Sequence, residues 1–120
     1  MPRRGSLLGR LPPLADAERF EALLETPCGR VERIVSFGHA SPPGFWYEQA
    51  EDEWVLLAAG SATLAFEDGT KLTLAAGDWI ILPARQRHRV DAVSGDAVWL
   101  AVHLRTGQAR DQQQDSGNAG

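Results

Sequence analysis

The stretch EWVLLAAGSATLAFEDGTKLTLAAGDWIILPARQRH, residues 53–88, decides the fold. Short runs rich in Val, Leu, Ile, Trp and Ala are cut by Gly60, by Glu67-Asp68-Gly69 and by Ala75-Ala76-Gly77. Apolar runs of this length, bounded by turn residues at near-regular spacing, mark antiparallel β-strands. The pattern extends outward in both directions. VERIVSF (31–37) and GFWYEQ (44–49) precede it, separated by Ser41-Pro42-Pro43-Gly44. HRVDAV (88–93) and AVWLAVHL (97–104) close it, separated by Ser94-Gly95-Asp96. No helical periodicity interrupts residues 31–104, so the expected fold is all-β, an antiparallel sheet closed into a barrel or folded into a sandwich.

Two strands are apolar on both faces. Val55, Leu57 and Ala59 alternate with Trp54, Leu56 and Ala58, and residues 97–104 behave alike. A sheet with one wet face alternates apolar with polar residues, so a second covering layer is expected. A second copy packed sheet to sheet would supply it, which predicts a homodimer.

The ends differ from the centre. Residues 1–14, with Pro2, Gly5, Gly9, Pro12 and Pro13, read as a loosely attached arm. Asp16 then precedes AERFEALLE, where Phe20, Leu23 and Leu24 recur at helical spacing, predicting a short amphipathic helix over 16–25. The tail from 105 to 120 has no aromatic or β-branched residue beyond Thr106 and is expected to be disordered. A single domain over 15–104 is all that 120 residues accommodate.

Composition excludes some functions. A net charge of −4 lacks the basic face that phosphates demand, so no nucleic-acid partner is expected. No apolar run reaches the roughly 18–20 residues that span a bilayer, and the N-terminus lacks the apolar core of a secretory signal. The single Cys28 cannot form an internal disulfide and fits a reducing cytoplasm.

The spacing of particular residues resembles the cupin superfamily, specifically the small single-domain, RmlC-like jelly-roll cupins. Glu53, six residues, then Gly60 matches the second half of the first cupin motif, G-x5-H-x-H-x3-4-E-x6-G. Tyr47 and Gln49 stand where its two histidines fall. Gly77, five residues, Pro83 and His88 match the second motif, G-x5-P-x-G-x2-H-x3-N, with Arg85 in place of its second glycine and Ala92 in place of its asparagine. The resemblance covers residues 31–104 and implies a jelly-roll barrel. Period-two alternation then points Tyr47, Gln49, Glu53, Val55, Leu57, His88 and Val90 inward.

In metal-bound cupins the motif histidines and glutamate hold a divalent cation. Carried over here, the ligand candidates are Glu53, His88 and Gln49, with His103 joining them if it faces inward. Such a set suits Mn, Fe, Ni or Zn. Tyr47 would then serve as a general acid or a hydrogen bond to substrate. An ion is one way to compensate a buried Glu53 carboxylate; a direct polar pairing of Glu53 with His88, without an ion, is the other. Three functions stay open: a small metal-dependent enzyme acting on a small molecule, a non-catalytic binding or sensing module with a metal-free pocket, and a structural dimer whose pocket is vestigial. Of the remaining polar residues, His39 is expected at the rim, and Glu51 and Asp52 in a solvated turn. Arg85, Arg87 and Arg89 are expected on an outward face, and most of Trp46, Trp54, Trp79 and Trp99 in packing.

Overall fold

The computed structural model describes residues 2–105, so residues 106–120, most of the tail expected to be disordered, lie outside it. Eight antiparallel strands form two sheets, and no helix occurs among the described residues. The strands are β1 Arg19–Thr26, β2 Gly29–Val35, β3 Asp52–Ala59, β4 Ser61–Phe66, β5 Lys71–Ala75, β6 Trp79–Leu82, β7 His88–Val93 and β8 Val98–Leu104. One sheet has the order β1-β2-β8-β3-β6 and the other β5-β4-β7. The order differs from the sequence order because the chain crosses repeatedly between layers, as in a jelly roll.

Between the sheets lies a core of Val55, Leu57, Leu64, Phe66, Leu74, Leu82 and Trp99. Burying each such side chain contributes about 1.5–3 kcal/mol before entropy is counted. Gly60 joins β3 to β4 at φ 86°, and a Cβ there would lie 2.4 Å from Ser94 Oγ and 2.8 Å from Ala97 Cα. Both the dihedral and the crowding require glycine. At Arg85, where the family pattern has another glycine, φ is 73°.

The helix expected over 16–25 is instead β1. An isolated helix of that length is marginal in water. The Thr26-to-Gly29 hairpin offers its backbone a ready ladder with β2, from Arg19↔Val35 to Thr26↔Gly29. A bulge between Ala22 and Leu24 breaks the strict alternation, which is why the apolar residues mimic helical spacing. The strand system therefore starts at 19 rather than 31. GFWYEQ, expected as a strand, makes only the isolated bridge Tyr47↔His88.

The arm is tied down rather than loose. Arg33 points away from the core and is only 6% exposed. Its guanidinium donates to the carbonyls of Leu7 (3.0 Å), Gly9 (2.7 Å) and Arg10 (3.2 Å), and its Nε to Glu21. On the outer face of β6, Trp79 and Ile81 are each 58% exposed, and Trp79 stands beside Trp54 of β3. No helix is long and apolar enough to cross a membrane among the described residues.

Candidate functional site

A cavity of about 360 Å³ opens between the sheets, at the small end of the range usual for ligand pockets. Register explains which charges meet in it. Across four strands, Arg30 (β2) pairs with His103 (β8), His103 with Glu53 (β3), and Glu53 with Leu82 (β6). Paired residues share a face, so this row places a cation, an imidazole and a carboxylate side by side. Further rows bring Glu32 opposite Ala101, and Ile34 and Leu57 opposite Trp99.

Most of the set that alternation points inward lines one cavity. Tyr47, Gln49, Glu53, Val55, His88 and Val90 all line the cavity. Leu57 also points inward but is fully buried in the core rather than on the cavity wall. His103 faces inward and lines the cavity too, at 3% exposure.

Glu53, 7% exposed, accepts a 2.6 Å hydrogen bond from Gln49 Nε2 on its Oε1. His103 Nε2 lies 3.1 Å from Glu32 Oε1 and 3.8 Å from Glu53 Oε2. Its Nδ1 is 3.6 Å from Glu51 Oε1 and, though buried, has no hydrogen-bond partner. Arg30 Nη1 holds both Glu51 oxygens at 3.1 and 3.2 Å, and its Nε faces Glu32 at 3.5 Å. Glu51 is therefore folded back against this cluster instead of solvated in a turn, because Arg30 draws it in. Asp52 accepts a hydrogen bond from the Ala84 amide.

His88, 7% exposed, sits on the opposite wall. Its Nδ1 is 3.1 Å from the Gln86 carbonyl, an acceptor only, so Nδ1 carries the proton and the neutral ring's Nε2 is left as an acceptor. The Tyr47 ring stacks on it with centroids 5.5 Å apart, and the two backbones exchange hydrogen bonds of 2.7 and 3.1 Å.

A second polar cluster was not foreseen. Glu18, just before β1, accepts from Ser36 Oγ at 3.1 Å and from Tyr47 Oη at 3.5 Å. Trp99 Nε1 donates to the same Ser36 Oγ at 3.3 Å. Burial pushes the Glu18 carboxyl above its ordinary value, against the lowering effects of Ser36, Tyr47 and His39. The Tyr47 phenol is pushed up to about 12, by burial first and then by Glu18 and Glu53. It stays a neutral donor at any ordinary pH.

Glu18 was missed because it lies in the segment that looked helical. Glu32 and Arg30 were missed although β2 carried a signal. In RVERIV the polar Arg30 and Glu32 alternate with apolar Val31 and Val35, so the chain placed charge on its inward parity. Arg87 and Arg89 are spent outside the cavity as expected, on Glu67 and on the Ser41 and Pro42 carbonyls.

The fold and this strand-borne pocket define a cupin. The cupin domain family matches residues 35–103, and the chain belongs to it. A protein from Ralstonia eutropha JMP134, described as a "putative mannose-6-phosphate isomerase", is 44% identical over 87% of this chain and 99% of its own, with a TM-score of 0.83. A cupin superfamily protein of Desulfitobacterium hafniense DCB-2 shares 20% identity over 88% of this chain and 93% of its own, with a TM-score of 0.73. An RmlC-like cupin from Desulfovibrio desulfuricans shares 13% over 86% and 97%, at 0.69. These last two likenesses bear on the fold alone. No curated protein matches the chain.

The donor set does not fit the divalent metal that the family resemblance implies. The two positions of the first-motif histidines hold a phenol that resists ionisation and an amide. That amide already donates to the Glu53 carboxylate. Among the described residues no three His, Cys, Asp or Glu side chains converge as an ion requires.

Proposed function

We propose that this chain is a small-molecule-binding cupin whose pocket works without a metal ion. The residues at the two first-motif histidine positions carry the reading, since a phenol that keeps its proton and an uncharged amide stand where two imidazole ligands would. His88 Nε2 and the Tyr47 hydroxyl then act on the ligand as hydrogen-bonding groups, over an apolar floor of Val55, Leu64 and Val90. Tyr47 is a donor here rather than a base, because its phenol keeps its proton. In the Mn, Fe, Ni or Zn site that the motif would place on Glu53, His88, Gln49 and His103, positions 47 and 49 bring no imidazole, and His103 Nε2 is turned to Glu32.

The exposed apolar patch of Trp79 and Ile81 supports a homodimer formed sheet to sheet through this outer face. Cys28 is exposed and free, in keeping with a reducing compartment. Thermal melts with excess EDTA and with added Mn, Fe, Ni or Zn test the metal-free reading. The expected result is a melting temperature that none of these moves. A chelator-induced fall, or a rise with one ion, would contradict it.

A further inference from the structure

One carboxylate on the cavity wall is sparsely matched. Glu18, Glu32, Glu48 and Glu53 all line the cavity, whereas Arg30 is its one Lys or Arg among the described residues. Arg30 is already held by Glu32 and Glu51. Glu53 is 7% exposed and receives one hydrogen bond, from a neutral amide, with His103 Nε2 3.8 Å from its other oxygen, where a carboxylate accepts up to about four. Beside it His103, 3% exposed, leaves its Nδ1 without a partner, 3.6 Å from the Glu51 carboxylate. A buried carboxylate so thinly matched is costly unless a cation or further donors reach it.

We propose that the ligand is an organic ammonium ion, a primary amine on a hydrocarbon body. Its N–H groups meet Glu53, and its apolar body lies along Val55, Leu64 and Val90. Tyr47 and Trp99 also line the cavity, and their aromatic rings attract a cation further. The same charge pattern rejects anions. A sugar phosphate of the kind named for the Ralstonia relative would meet several carboxylates and no free basic side chain among the described lining residues. The inference rests on the metal-independent pocket reading.

The test is a calorimetric or tryptophan-fluorescence titration in EDTA with four probes: 2-phenylethylamine, 2-phenylethanol, 3-phenylpropionate and mannose 6-phosphate. The amine is expected to bind at least about tenfold tighter than the alcohol, a difference of about 1.4 kcal/mol, with neither anion binding. Glu53→Gln, nearly the same shape without the charge, is expected to bring the amine down to the alcohol's affinity. If the alcohol matches the amine, if either anion binds as tightly, or if no probe binds, the ammonium assignment is wrong. Should Glu53→Gln fail to fold, the wild-type series still decides. Binding of the alcohol alone overturns this inference and keeps the metal-free pocket. Binding of any probe only after Mn or Zn is added, and its loss in EDTA, overturns the metal-free reading itself.

Discussion

The two ends of the cavity are built by different means. At one end, Arg30, His103 and Glu53 stand in one cross-strand row, fixed by the register of β2, β8 and β3. At the other end, Glu18 comes from the chain leading into β1 and meets Ser36, which lies just beyond β2. One end is held by ladders in the middle of a sheet, the other by side-chain hydrogen bonds. Trp99 links them: its ring lines the cavity and its Nε1 reaches Ser36. Position along a strand thus fixes the charge-rich end, whereas the Glu18 end depends on a few polar contacts and should yield first.

Removing the link should have the largest effect. Trp99→Ala takes out a buried aromatic side chain and leaves Ser36 without one partner, and should destabilise by about 3–5 kcal/mol in urea unfolding. If the loss stays below about 1 kcal/mol, the two ends are not joined through Trp99. Next comes Ser36→Ala, which strips a partner from both Trp99 Nε1 and Glu18. Leaving buried polar atoms unmatched costs about 1–3 kcal/mol. An unchanged urea midpoint would show the Glu18 end to be held some other way.

A smaller effect follows from the Glu18 carboxyl. Its value in the folded chain is raised above the ordinary 4.5, so the folded state holds this proton more tightly than the unfolded state does. Stability from this group is therefore fully present below that ordinary value and is lost as pH rises through the raised one. Glu18→Gln should flatten the loss of melting temperature over that range, and at neutral pH should not destabilise. A variant whose melting temperature falls with pH as steeply as the wild type's would remove Glu18 as the source. The smallest change is expected at Arg85, whose φ of 73° is a conformation that glycine adopts without strain. Arg85→Gly should stabilise by up to about 1 kcal/mol. A destabilised variant would mean that the Arg85 side chain contributes more than its backbone costs.

The same contrast explains how much of the molecule was legible in the sequence. Gly60, Gly77, Pro83 and His88 sit at turns and strand starts with local, steric reasons for being there, so spacing alone placed β3 to β7. Period-two parity then pointed Glu53, Val55, His88 and Val90 to the side that lines the cavity. The parity of β8 would have turned His103 inward as well, since it shares a face with Trp99 and Ala101. Phe20, Leu23 and Leu24 misled because a bulge shifts the register between Ala22 and Leu24, a feature that only pairing with β2 determines. Glu18 and Glu51 were invisible for a related reason. Their partners, Ser36 and Arg30, are 18 and 21 residues away, and nothing local announces them.

The central claim is that this pocket holds no resident metal ion, because Tyr47 and Gln49 have replaced the histidines. Elemental analysis of the purified chain, beside a Tyr47→His, Gln49→His double variant, tests it most directly. The account predicts no stoichiometric divalent ion in the wild type and one gained in the double variant. One ion per wild-type chain, lost in both Glu53→Ala and His88→Ala, would contradict it.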